Sequence, residues 1–168
     1  ADFAAFQTDD AFAVTGAALS IAAGRLSFAL GMQGPCISYD TACSSSLVAL
    51  QGALSSLTGH ECDMAVTLAV SLMLAPHTHR VYSCAGMLSM GGRCKVFDAL
   101  ADGYARGEGV GAGILHRGRA AQDLRALGSC IRSDGRSASL MAPNGLAQTL
   151  LIRAALSEAG LQWLSALE

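Results

Sequence analysis

Residues 64–74 restrict the fold more than any other stretch of the chain. They carry no charge, and only Thr67 and Ser71 interrupt a run of apolar side chains. A strand of this kind has no polar face to turn toward water, so it is expected to be covered on both faces, as in parallel or mixed α/β sheets. Pro76, which has no N–H to give a ladder, closes it. What flanks this strand alternates in kind. In residues 14–30, Ala17, Ala18, Ala22, Ala23 and Gly24 intersperse with Leu19, Ile21, Leu26 and Phe28, and Arg25 is the single charge, which predicts a tightly packed helix. Gly31 and the pair Gly34-Pro35 break it. Residues 36–40, with Ile37 and Tyr39, read as a short buried strand that stops at Asp40.

A second helix is expected over residues 43–57, where Leu47, Leu50, Leu54 and Leu57 stand near helical spacing, Thr41 and Ser44 offer N-cap oxygens and Gly59 offers a stop. Residues 77–85 predict another helix, 86–93 a glycine-rich loop and 110–115 a strand, while 118–127 is ambiguous. Asp134-Gly135 and Pro143-Asn144-Gly145 mark turns ahead of a helix at 148–159, with Leu150, Leu151, Ala154 and Ala155 inward. Strands that alternate with helices give an α/β class with a layered sheet.

Length and charge narrow the function. A chain of 168 residues is one unit or a piece of one. Ala1 in place of Met, and Glu168 with no stop signal before it, are read as the ends of a fragment, with residues 1–168 one partial domain. Only 14% of residues are charged and the net charge is -2, so no basic face exists to neutralise phosphates. Nucleic acid and an anionic membrane are therefore not expected as partners, and no run is long and apolar enough to suggest a transmembrane helix or a signal peptide. Glycine stands at 19, against roughly 12 at average usage, which implies closely approaching backbone. The six cysteines, at 36, 43, 62, 84, 94 and 130, are read as reduced thiols, consistent with the cytoplasm or a plastid.

Cys43 is the most informative position, because it lies where the expected strand ending at Asp40 turns into the next helix. A thiol at a helix N-terminus faces N–H groups without intrahelical partners, an environment that favours thiolate. A sharp strand-to-helix turn also supplies backbone donors for an oxyanion, as in the nucleophile elbow of hydrolases, although the flanking glycines of that motif are missing. The competing reading is one ordinary buried cysteine among six.

The string around it is more specific: Gly34-Pro35-Cys36-Ile37-Ser38-Tyr39-Asp40-Thr41-Ala42-Cys43-Ser44-Ser45-Ser46. It resembles the active-site segment of β-ketoacyl synthases, in particular the ketosynthase domain of type I polyketide synthases. Thr15-Gly16 and Ala23-Gly24-Arg25-Leu26-Ser27 resemble a further segment of that family. So do Gly86-Met87-Leu88-Ser89, Gly92-Arg93-Cys94-Lys95 and Phe97-Asp98-Ala99. Ala101-Asp102-Gly103-Tyr104 with Arg106-Gly107-Glu108-Gly109, and Asp134-Gly135-Arg136-Ser137 with Ala142-Pro143-Asn144-Gly145 and Gln148, follow in the family's order.

The resemblance implies a thiolase-like, layered αβαβα fold of which this chain covers only the middle. It implies that Cys43 accepts an acyl group from the phosphopantetheine arm of an acyl carrier protein, and that a carbanion from decarboxylated malonyl carrier protein attacks the thioester. The backbone N–H of Cys43 would be half of an oxyanion hole. No directly bound cofactor is implied, and the intact parent would be a homodimer whose contact includes residues 36–39. The family's two histidines, in HGTGT and GH contexts, have no counterpart in these residues. The run from Gly160 to Glu168 resembles the lead into the first of them. The isolated chain is therefore expected to condense nothing. A non-catalytic, ketosynthase-like scaffold or dimer partner is the alternative reading, and a cysteine hydrolase is a further one without support from the spacing.

The sequence departs from the family pattern at Leu68-Ala69, where a small Gly pair is usual, and at Arg132, where Asn is common. Other constellations have plainer explanations. His77, His79, Cys84 and Cys94 match no zinc spacing. The glycines at 107, 109, 111 and 113 lack the order of a phosphate cradle, and close strand packing or a tight turn is expected to account for them. Asp98, Asp102, Glu108 and Arg106 read as a loop-ordering ion-pair cluster, Asp40 and Thr41 as turn and cap residues, and Met87 and Met90 as either acyl-pocket lining or filler.

Overall fold

A computed structural model describes residues 12, 15, 16, 18–118, 124–140 and 142–162. A 3₁₀ turn at Leu19–Ile21 leads into helix α1, Ala22–Leu30. Val14 and Ala17 of the expected helix, most of the ambiguous stretch after Gly118, and the run from Trp163 lie outside the described residues. Helix α2 spans Ser45–Thr58, strand β1 Met64–Ser71, helix α3 Pro76–Cys84, strand β2 Gly109–His116 and helix α4 Gly145–Glu158.

The helices share one way of ending. After α1, Gly31 takes φ 64° and the N–H of Met32 reaches back to the Ser27 carbonyl at 2.9 Å. This is the Schellman closure, which satisfies carbonyls that a helix end leaves unpaired. Gly86 after α3 and Gly160 after α4 do the same with φ 68° and 72°. Helix α2 differs from expectation. Gly59 stays right-handed, with an added Cβ only 3.1 Å from the Ser55 carbonyl, and His60 turns the chain at φ 60° while Glu61 N–H bonds the Ser56 carbonyl.

Strands β1 and β2 form a two-stranded sheet. Arg117 N–H bonds the Asp63 carbonyl, Thr67 Oγ1 donates to the Gly113 carbonyl and Ser71 Oγ to that of Gly107. Partner numbers fall as strand numbers rise, so the pair is antiparallel and fits a mixed sheet rather than a wholly parallel one. The expected double cover is absent among the described residues: Val66, Leu68 and Val70 are exposed, while Ala65, Thr67 and Ala69 are half-buried. Residues 36–40 are not a strand: a strand exists only where a ladder pairs it, and among the described residues the sheet consists of β1 and β2. Ser38 instead accepts the N–H of Ala23.

The chain divides into two units. One comprises Ala1–Asp40 and Val66–Ile114; the other comprises Thr41–Ala65 and Leu115–Glu168. In the second, Leu57 on α2 is buried, and Gly128 lies so close to α4 that a Cβ would stand 2.5 Å from the Ala155 carbonyl. Leu151, Ala154 and Ala155 are half-buried as expected of an inward face, but Leu150 is exposed.

Candidate active site

Cys43 sits in a 3₁₀ turn, Ala42–Ser44, that runs directly into α2. Its thiol is free and exposed, so an incoming group can reach the sulfur. The residue before it, Ala42, has φ 56°, a left-handed conformation that a residue with a Cβ holds at a cost of about 1–2 kcal/mol. That bend turns the chain into the helix within one residue. In a hydrolase elbow the strain falls on the nucleophile; here it falls one position earlier.

Hydroxyl groups hold the turn. Ser45 Oγ accepts the N–H of Thr41 at 2.8 Å and donates to the Ala42 carbonyl at 2.7 Å, while Ser44 Oγ donates to the Thr41 carbonyl at 3.0 Å. The expected caps, Thr41 and Ser44, therefore brace the turn without capping α2 through a side-chain acceptor. Ser45, not singled out from the sequence, is the residue bonded on both sides of the bend. A run of three serines gives no sign of which one will do so. By the geometry of any helix start, the first-turn N–H groups at Cys43 lack intrahelical carbonyls, which suits them to a developing oxyanion.

The loop between α3 and β2, in the other unit, carries the motifs from Gly86 to Glu108. Leu88 and Tyr104 form a parallel bridge, with Ser89 N–H to the Tyr104 carbonyl at 3.0 Å and Tyr104 N–H to the Met87 carbonyl at 3.1 Å. Gly103, at φ 132°, makes this approach possible, because a Cβ there would lie 2.6 Å from Leu88 backbone carbon. Asp102 accepts from Ser89 Oγ at 2.8 Å and pairs with Lys95 at 2.9 Å. The hydrogen bond from Lys95, then that from Ser89, holds the Asp102 carboxyl below the ordinary carboxylate range.

The four charged groups expected to cluster are instead distributed. Asp98 accepts the N–H of Leu100, Glu108 accepts that of Met73, and Arg106 stacks over the Tyr82 ring at 5.2 Å. They order the loop separately. Close packing does not explain the glycines at 107, 109 and 111, where a Cβ would meet open space; only Gly113 is tight, 3.1 Å from Thr67 Oγ1. Among the described residues no group of three His, Cys, Asp or Glu could hold a metal, and no helix is long and apolar enough to cross a membrane. His60 contacts Arg117, which also pairs with Asp63, and His77 and His79 lie exposed on α3.

Residues 3–121 match the model of the β-ketoacyl synthase N-terminal domain. The chain is 47% identical over 159 residues to a type I polyketide synthase of phenolphthiocerol synthesis from Mycobacterium bovis, a match covering 89% of this chain and 7% of that protein. It is similar in structure to the ketosynthase from module 6 of the bacillaene synthase of Bacillus subtilis, with TM-score 0.78, 39% identity and coverage of 88% of this chain and 27% of that one. An oxazolomycin ketosynthase domain from Streptomyces albus gives TM-score 0.81 at 34% identity, covering 87% and 27%.

Proposed function

Because the chain belongs to the β-ketoacyl synthase family, we propose that it carries the nucleophile of a polyketide-synthase ketosynthase, and that this nucleophile is Cys43. Its α/β architecture is accordingly the thiolase-like one of the ketosynthase structures it resembles, present in part. The observation that supports the role of Cys43 most directly is its exposed sulfur on a strained turn at the start of α2.

In this reading the Cys43 thiolate attacks the carbonyl of an acyl thioester on a carrier protein. The carbon–sulfur bond to phosphopantetheine breaks, and the released arm takes a proton to become a thiol. Malonyl carrier protein then loses carbon dioxide. The carbanion left behind attacks the Cys43 thioester, so that a carbon–carbon bond forms and the Cys43 sulfur leaves as thiolate. The backbone N–H of Cys43 holds the oxyanion during both attacks. The product is a β-ketoacyl group, two carbons longer, on the carrier protein. Carrier protein as partner, a homodimeric parent and a cytoplasmic setting belong to the same proposal.

Labelling tests it. The full-length parent, offered a radiolabelled acyl thioester, is expected to hold label at Cys43, and Cys43→Ala is expected to reduce it to background; equal labelling of the two proteins would refute the assignment. The 168-residue chain alone is expected to form no β-ketoacyl product from acyl and malonyl carrier proteins beyond a Cys43→Ala control, because no described residue supplies the family's histidines.

A further inference from the structure

Two successive peptide planes carry the bend at Cys43, and each is held by a different serine. The plane joining Thr41 to Ala42 sets the left-handed φ of 56° at Ala42. Ser44 Oγ holds it, donating to the Thr41 carbonyl at 3.0 Å and lying 2.9 Å from Thr41 Oγ1. The plane joining Ala42 to Cys43 comes next, and its polar ends are the Ala42 carbonyl and the Cys43 N–H. Ser45 donates to that carbonyl twice, from its own N–H and from Oγ at 2.7 Å, while Oγ also accepts the Thr41 N–H at 2.8 Å.

A trans peptide is rigid, and its carbonyl and N–H point in opposite directions, so whatever fixes one fixes the other. No peptide bond among the described residues is cis. By holding the Ala42 carbonyl, the Ser45 hydroxyl therefore sets where the Cys43 N–H points. The Ser45 N–H by itself makes a 3₁₀ bond, whose poorer geometry leaves the plane room to tilt. The hydroxyl removes that room, because it is anchored on the far side of the bend at Thr41. All of these bonds lie between Thr41 and Ser45, so they do not depend on distant parts of the polypeptide.

We propose that Ser45 is a positioning residue for the acylation of Cys43: its hydroxyl aims the Cys43 N–H at the oxyanion that forms when the thiolate attacks a thioester. The proposal rests on the ketosynthase reading for that oxyanion and for the N–H as its donor. Such a donor accelerates the reaction only when it points at the position the oxygen reaches in the transition state. An N–H that tilts away leaves the sulfur exposed and nucleophilic, so aim and nucleophilicity are separable. In the step itself the Cys43 sulfur bonds the acyl carbon, the carbon–sulfur bond to the carrier arm breaks, and the departing thiolate takes a proton. The Ser45 hydroxyl keeps its own proton throughout.

The test offers the full-length parent and its Ser45 variants an acyl thioester of N-acetylcysteamine, which carries the end of a phosphopantetheine arm. Acylation of Cys43 is followed by quenched-flow mass spectrometry, and alkylation of Cys43 by iodoacetamide is timed in parallel across a pH series. Alkylation displaces iodide and forms no oxyanion, so it reports the thiolate without the N–H. Ser45→Ala is expected to slow acylation at saturating thioester by about tenfold to a hundredfold, less than outright loss of an oxyanion donor. The half-saturating concentration, and the rate and pH profile of alkylation, should stay as in wild type. Ser45→Thr should restore acylation, and Ser45→Val, which has the shape of threonine without the hydroxyl, should not. Equal acylation in wild type and Ser45→Ala overturns the proposal. So does a parallel loss of acylation and alkylation, or failure of both hydroxyl-free variants to fold, since either marks Ser45 as structural support alone. Wild-type protein that is alkylated at Cys43 but never acylated there overturns the ketosynthase reading, and the positioning role with it.

Discussion

Ala42, His60 and Phe97 are the non-glycine residues among those described whose backbone is left-handed, and each does something a sequence does not announce. Ala42 bends the chain at Cys43 into α2, His60 ends α2, and Phe97 displays its ring. Nothing in the identity of an alanine, a histidine or a phenylalanine marks it for positive φ, because the conformation is imposed by neighbours rather than chosen by the residue. Cys43 was legible for the opposite reason: the string surrounding it is specific, and its place at a helix start follows from local periodicity. Asp102 was legible as a loop-ordering carboxylate, but its partners Lys95 and Ser89 were not. Its lowered titration sets a direction for pH dependence. Since the folded carboxyl titrates below its unfolded value, its contribution is complete above about pH 4 and is lost as pH falls through the folded value. In the intact protein, the difference in thermal midpoint between wild type and Asp102→Asn is therefore expected to be constant from pH 7 to about pH 5 and to shrink below about pH 4. A difference that grew in acid would contradict the pairing.

At the scale of elements, helix ends were read well where glycine supplied the turn and poorly where it did not. Gly31 announced the end of α1, whereas Gly59 misled by one residue, because the Schellman geometry needs its left-handed residue just beyond the last helical carbonyls and that position holds His60. The start of α4 shows how one side chain joins a turn to a helix. Asn144 Oδ1 accepts the N–H of Ala147 at 3.2 Å, its Nδ2 donates to the Asp134 carbonyl at 3.0 Å, and its own N–H bonds Asp134 Oδ2. Asn144→Ala removes the cap and the tie together and is expected to destabilise the intact protein by about 1–2 kcal/mol. Asn144→Ser should recover part of that, because a hydroxyl can still accept from Ala147; denaturant titration of the three proteins distinguishes them. A loss confined to a few tenths of a kcal/mol would mean that the Asp134 turn stands without Asn144.

Over the whole molecule, apolar surface stays uncovered on both β1 and the loop before β2. Large apolar side chains in water bind hydrophobic dyes and associate, so the 168-residue chain by itself is expected to bind anilinonaphthalene sulfonate, to aggregate at micromolar concentration and to unfold without a sharp reversible transition. A cooperative, reversible melt of a soluble monomer would show that the chain buries enough surface alone. The same uncovered surface separates what the amino-acid order settled from what folding settled. Helices, the positions of β1 and β2, most turns and the place of Cys43 at a helix start depend on periodicity, glycine and proline, and contacts a few residues apart, all of which are written locally in the chain. The antiparallel register of β1 with β2, the absence of a strand at residues 36–40 and the close approach of Gly128 to α4 depend on which distant groups meet. Those meetings are decided by hydrogen bonds and close backbone approaches across tens of residues, for which no single segment carries the instruction.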